Sequence, residues 1–265
     1  RRGGWQSQVA MDAENLAESL PAQNKLAKQG AWLFRWRSYL PLLLTAIILP
    51  SFCHIRYPFG SHTYDLAWEM FCFTVSLFGF GIRCYTAGHV PRGTSGRNTK
   101  KQVAEVLNTT GIYSVVRNPL YLGNFFMILG VTMFTRTIWV PVIYALAFWA
   151  YYGRIIAAEE AFLLSRFGKQ FEEYRARVPA FVPNFALWRP NALPFSLRTV
   201  LKREYSSFFA LVSAFTALEI IEDWVVEKRL AFDPVWVTIF FAGLVIYITL
   251  RTLKKKTRLL DVPGR

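Results

Sequence analysis

The sequence predicts an all-α fold, a polytopic membrane helical bundle of about six transmembrane helices, with a helical hairpin, a loop and a helix extension on the cytoplasmic side. Three observations predict it. Of the 265 residues, 53% are hydrophobic and 18% charged, where a soluble domain carries about 25% charge. The apolar residues gather in runs long enough to approach the roughly 20 residues that a bilayer requires. The basic residues concentrate in every other segment between those runs, on one side of the membrane.

Taken in order, residues 1–34 form a polar N-terminal segment, disordered or an interfacial helix from Asp12 to Gln29. Tyr39 to Cys53 is the first apolar run, and Leu66 to Tyr85 the second, interrupted by Glu69 and Arg83. A loop containing Gly and Arg follows from Pro91 to Asn98, then a short helix or strand over Lys101 to Leu107 and a turn at Thr109-Thr110-Gly111. Leu120 to Phe134 and Ile138 to Ile156 are the third and fourth runs. The three residues Thr135-Arg136-Thr137 between them are few enough for a tight helical hairpin.

The fourth run continues as an amphipathic helix to Tyr174, with Arg166, Lys169, Glu172, Glu173 and Arg177 on its polar side. Glu173 and Arg177 have the spacing of a solvated pair, and Pro179 ends the helix. Pro179, Pro183, Pro190 and Pro194 keep the next stretch extended, and Phe181, Phe185 and Trp188 seat it in the interface. Ser206 to Ile221 and Val235 to Leu250 are the fifth and sixth runs. Residues 35–204 thus form the core, and 205–265 a C-terminal helix pair with a basic tail. Glu219, Glu222 and Asp223 read as an acidic rim facing the interface at the outer end.

With the N-terminus inside, segments 1–37, 89–117, 157–204 and 251–265 hold 25 of the 31 Lys and Arg. That asymmetry places both termini on the cytoplasmic side. The net charge of +14 therefore points to anionic lipid headgroups rather than nucleic acid. Cys53, Cys72 and Cys84 have no metal-ligand spacing and read as small buried apolar residues. No metal site, cleavable signal peptide or lipidation motif is expected.

Two clusters fall on the basic face. One is Gly111-Ile112-Tyr113-Ser114-Val115-Val116-Arg117-Asn118-Pro119-Leu120-Tyr121-Leu122-Gly123, which ends in the third run. The other is Glu159-Glu160, at the end of the fourth. A hairpin brings them together, because each arm covers roughly one bilayer thickness at about 1.5 Å per residue. Neighbouring helix positions diverge by about 100°, so one Glu faces a site while the other pairs with Arg154, Arg166 or Lys169. Asn118-Pro119 also reads as a helix start, with Asn as cap and Pro in the first turn. Tyr113 and Tyr121 also read as interfacial aromatics.

Arg117-Asn118-Pro119-Leu120-Tyr121-Leu122-Gly123 resembles the Arg-His-Pro-x-Tyr-x-Gly motif of the isoprenylcysteine carboxyl methyltransferase and phospholipid methyltransferase superfamily. Glu159-Glu160, Phe167-Gly168, Tyr174, Val178-Pro179, Phe181 and Pro183 resemble its second motif. Ala87-Gly88-His89 and Gly111-Ile112-Tyr113 also fit, and the likeness covers about residues 75–185. It implies a membrane-embedded enzyme that uses S-adenosyl-L-methionine, held at the cytoplasmic mouth of the hairpin. Carried over by position, Tyr113, Asn118, Pro119, Leu120, Tyr121 and Glu159 line the cofactor pocket. Glu105, Val106, Leu107 and Asn108 supply backbone contacts, and Glu160 supports Glu159. His89 is a weaker candidate. Asn118 stands where the family has His, so this position hydrogen-bonds but does not titrate. Arg154 lies about one residue out of register with the family's substrate-binding Arg.

Methyl transfer requires alignment and exclusion of water. An anionic acceptor needs orientation by Arg117 or Arg154, and an amine needs Glu159 or Glu160 to take its proton. The acceptor is expected to be amphiphilic, a lipid headgroup or a prenylated cysteine carboxylate. The alternatives are a sterol-reductase-like oxidoreductase that uses NADPH and a non-catalytic membrane scaffold.

Overall fold

The computed structural model describes residues 62–91, 105–230 and 232–265, with Ile48, Pro50 and Ser51 ahead of them. The N-terminal segment, most of the first apolar run and the loop over 92–104 lie outside those residues. Of the first run, Ile48 is buried in a core cluster with Cys72, Phe134, Phe215 and Trp236.

Six α-helices appear among the described residues: α1 (His62–His89), α2 (Pro119–Met133), α3 (Trp139–Phe167), α4 (Lys169–Arg177), α5 (Leu197–Glu227) and α6 (Pro234–Lys256). No strand is among them beyond an isolated bridge between Gly111 and Arg189. Tyr64–His89 of α1, α3 and α6 are long and apolar enough to cross a membrane; α2 is apolar but shorter, at 15 residues. The helix starts follow local chemistry. Pro119 opens α2 at a position where its missing N–H costs nothing. Asp233 Oδ1 accepts from the backbone N–H of Val235 at 2.7 Å and of Trp236 at 3.3 Å, capping α6. Lys254, Lys255 and Lys256 close α6 at its negative dipole end.

The α1–α2 pair is the tightest contact. A Cβ on Gly79 would stand 2.5 Å from both Gly123 O and Met127 N, so only glycine admits this approach. Ser76 Oγ donates to Met127 O at 2.7 Å across the same seam. Inside a membrane, where lipid is as apolar as leucine, such close backbone packing and interhelical hydrogen bonding hold helices together.

Three expectations change. The helix after Ile156 is not continuous to Tyr174. It breaks at Gly168, whose φ of 50° and ψ of −127° end α3 and turn the chain into the separate amphipathic α4. Glu173 and Arg177 touch through the Glu173 carbonyl, which accepts from Arg177 Nε at 3.3 Å, not through their charges. The Phe181 ring is buried inside the protein against Phe125, Phe148 and Trp149; Phe185 and Trp188 are exposed.

The acidic rim is also overturned. Glu219, Glu222 and Asp223 are all buried, with Glu222 0% exposed. They turn inward because Arg136, in the α2–α3 hairpin with a left-handed φ of 55°, reaches Glu222 Oε1 at 2.5 Å and also pairs with Asp65. Arg83, read as an interruption of the second run, likewise has partners. Its Nη2 meets Glu204 Oε2 at 2.8 Å and its Nη1 donates to Asn124 Oδ1 at 2.6 Å. A charge among membrane helices is stable only with such partners.

Candidate functional site

The site is built where the loop 111–118 enters α2 and faces the end of α3. Gly111, with φ 58°, starts a 3-10 turn over Ile112–Ser114. A Cβ there would collide with the Asn191 side chain, so the turn requires glycine for both space and backbone. Ser114 Oγ donates to Gly111 O at 2.7 Å and accepts from Arg189 N at 2.8 Å, fastening the loop to the extended segment after α4. Asn184 N donates to Val115 O, and Arg117 N to Pro179 O, each at 2.9 Å.

Arg117 is the hub. Its Nε and Nη2 reach Glu160 Oε1 at 2.9 and 2.8 Å, and its Nη1 donates to the carbonyls of Arg175 at 2.8 Å and Val178 at 2.5 Å. A planar guanidinium suits this task because one group satisfies the carboxylate and the open carbonyls at the end of α4 together. The partner of Glu160 is thus Arg117 on the facing loop. The two glutamates diverge as the helix geometry requires, and Glu159 Oε1 accepts from the Tyr121 hydroxyl at 2.7 Å.

Tyr121 and Tyr152 pack with centroids 4.8 Å apart, and Tyr152 stacks on Phe148 at 4.2 Å. An aromatic wall therefore borders the Glu159 carboxylate. Tyr113 is held below by the Tyr174 hydroxyl, which donates to Tyr113 O at 2.8 Å. Desolvation, then the charge of Glu159, raise the Tyr113 pKa, while Arg203 on α5 opposes them. The phenol stays protonated as a donor. Burial likewise raises the pKa of Tyr174.

Asn118 occupies the cap position of α2, but its side chain does not cap that helix. Its Nδ2 donates instead to Ala180 O at 3.0 Å, tying the motif to the segment after α4. Pro119 is buried and Leu120 half-buried in the first turn. Glu105 and Val106 are exposed, and Leu107 packs against Phe171 and Tyr174. The backbone of Glu105 to Asn108 makes no backbone–backbone hydrogen bond among the described residues. Arg154 is half-buried on α3, and its Nη1 donates to Ala150 O within the same helix. His89 Nδ1 lies 2.9 Å from Tyr85 O and its ring packs on Phe195, a structural setting.

Sequence reasoning missed Arg203, Arg83 and Glu204 near this end. Arg83 was the readable one, since an arginine inside an apolar run demands a partner. Arg203 lies 90 positions from Tyr113, beyond any local pattern.

The phospholipid methyltransferase family matches residues 71–170, the span that contains both motifs. The chain is 36% identical to protein-S-isoprenylcysteine O-methyltransferase of Schizosaccharomyces pombe over 85 residues, 32% of this chain and 36% of that protein. It is 32% identical over 157 residues to the nickel-cobalt-cadmium resistance protein NccN of Alcaligenes xylosoxydans xylosoxydans, 59% of this chain and 67% of that one. The chain belongs to the isoprenylcysteine carboxyl methyltransferase and phospholipid methyltransferase superfamily. A further member-like relative is the cobalt-zinc-cadmium resistance protein CzcN of Cupriavidus metallidurans, 34% identical over 159 residues, 58% of this chain and 64% of that one. The match thus spans about a third of the fission-yeast methyltransferase and about two thirds of each bacterial relative. No solved structure matches. In this chain the Tyr121–Glu159 and Arg117–Glu160 contacts link the two motifs across the hairpin.

Proposed function

We propose that this protein transfers a methyl group from S-adenosyl-L-methionine to an amphiphilic acceptor at the cytoplasmic surface of the membrane. The observation that carries the reading is the pairing of both motifs: Tyr121 with Glu159 and Arg117 with Glu160, at one end of one hairpin. The residues present suit the cofactor. A carboxylate beside aromatic faces favours a cationic group, and the backbone of Glu105 to Asn108 is proposed to meet the edges of the nucleoside.

The cofactor, when bound, supplies an electrophilic methyl on a sulfonium. The chain's own groups do the rest. Tyr121 fixes the Glu159 carboxylate in one orientation, and Tyr113 keeps its proton and stays a donor. Arg117 occupies Glu160 and closes the loop over the end of α4. That makes it a positioning residue and leaves Glu159 as the better acceptor for a proton from an amine. For an anionic acceptor no base is needed, and Arg154 on α3 is the guanidinium proposed to orient it. Phe148, Tyr152 and Phe181 exclude water behind the site.

The acceptor class follows from the setting: a lipid headgroup or a prenylated cysteine carboxylate, reached from the bilayer. The test is incubation of the purified chain in lipid nanodiscs with methyl-labelled S-adenosylmethionine, membrane lipids and a farnesylated cysteine peptide. Label in a lipid or in the peptide is expected. Label in neither counts against catalysis.

A further inference from the structure

The opposite end of the hairpin holds a second cluster of ionisable groups. It lies about 30 Å away by the length of α3 from Val140 to Glu159 at ~1.5 Å per residue. Asp65 and Glu69 of α1 and Glu219 and Glu222 of α5 are each buried to 2% exposure or less. Arg136 pairs with Asp65 and Glu222. Glu69 is different. Its Oε2 accepts from Trp236 Nε1 at 2.8 Å, which locks the carboxylate in place. Its Oε1 is buried and has no hydrogen-bond partner among the described residues. The group it meets is the Glu219 side chain, another carboxyl. Glu69 has no ion pair among the described residues, and a buried carboxylate is unstable without a counter-charge.

Oxygens from Asp65, Glu69 and Glu222 all lie within 4.8 Å of one another. Ligands at about 2.3–2.6 Å from a shared ion stand up to roughly 5 Å apart, so this spacing fits one ion. We propose that Asp65, Glu69 and Glu222 form a binding site for a hard divalent cation of the calcium or manganese type, with Glu69 Oε1 as its fixed ligand. An all-oxygen, all-carboxylate set favours such ions over those that prefer thiolate or imidazole. The ion supplies a counter-charge beside Glu69 and ties α1 to α5. The site is independent of methyl transfer.

The test uses the full chain in nanodiscs, freed of metal and titrated with Mn²⁺ by electron paramagnetic resonance. One Mn²⁺ held per chain and displaced by Ca²⁺ is expected. Glu69→Gln retains an acceptor for Trp236 and should lower affinity by about tenfold or more, as should Glu222→Gln. Asp261→Asn, which alters an exposed pair with Lys202, should change nothing. Binding unchanged in both Glu69→Gln and Glu222→Gln overturns the proposal. So does a folded wild-type chain that holds no Mn²⁺, which would leave protons as the neutralising charge. If neither variant folds, Tb³⁺ on the wild type decides: luminescence sensitised through Trp236 and lost in Trp236→Phe supports the site, and its absence overturns it.

Discussion

Replacing Arg117 by Met tests whether the loop and helix motifs act as one unit. Both partners of the Arg117–Glu160 pair are mostly buried, with side chains 13% and 16% exposed. Arg117→Met leaves the Glu160 carboxylate without its cation and the carbonyls of Arg175 and Val178 without their donor. Breaking one side of a buried pair costs about 3–5 kcal/mol, and partial exposure here argues for the lower end. Glu160→Gln keeps an acceptor and should cost less, about 1–2 kcal/mol. In the double variant no buried carboxylate is stranded, so its cost should fall short of the sum by about 1–2 kcal/mol. The assay is a double-mutant cycle on unfolding in detergent, read by near-ultraviolet circular dichroism. Additivity within about 0.5 kcal/mol would show that the two charges do not couple.

Other outcomes follow from the same contacts. Tyr121→Phe removes the donor to Glu159 and should lower methyl-transfer turnover about tenfold or more, read by labelled-product assays, with a loss of stability of no more than the roughly 1.5–3 kcal/mol of a charge-assisted hydrogen bond. Gly79→Leu should prevent assembly of α1 on α2, because even a Cβ meets backbone at 2.5 Å; loss of monodisperse protein on gel filtration reads this. Burial raises the Tyr174 pKa above its ordinary value of about 10. The folded state then retains a proton that the unfolded chain has lost, so stability falls as pH rises above about 10. Tyr174→Phe should make that fall shallower in alkaline unfolding curves, and an identical slope would refute it.

What was legible in the sequence was whatever local pattern encodes. The hairpin showed in two apolar runs separated by Thr135-Arg136-Thr137, and the site in two short motifs at its mouth. The break at Gly168 was not legible, since Phe167-Gly168 sits within an unbroken amphipathic pattern and only the backbone angles reveal the turn. The role of Asn118 was half legible: its cap position followed from Pro119, but its bond to Ala180 spans 62 positions. The acidic residues of α5 were misread because Arg136, the partner of Glu222, approaches only once the helices pack. Long-range pairing of charges is set by topology, which periodicity does not carry.

The proposed function requires Glu159 as the carboxylate that holds the methyl donor. Calorimetric titration of S-adenosylhomocysteine into the wild type and Glu159→Gln tests it most directly. The expected result is one site per chain in the wild type, weakened by about tenfold or more in the variant, an effect of roughly 1.4 kcal/mol. Equal binding by both proteins, or binding of NADPH with none of S-adenosylhomocysteine, would contradict it.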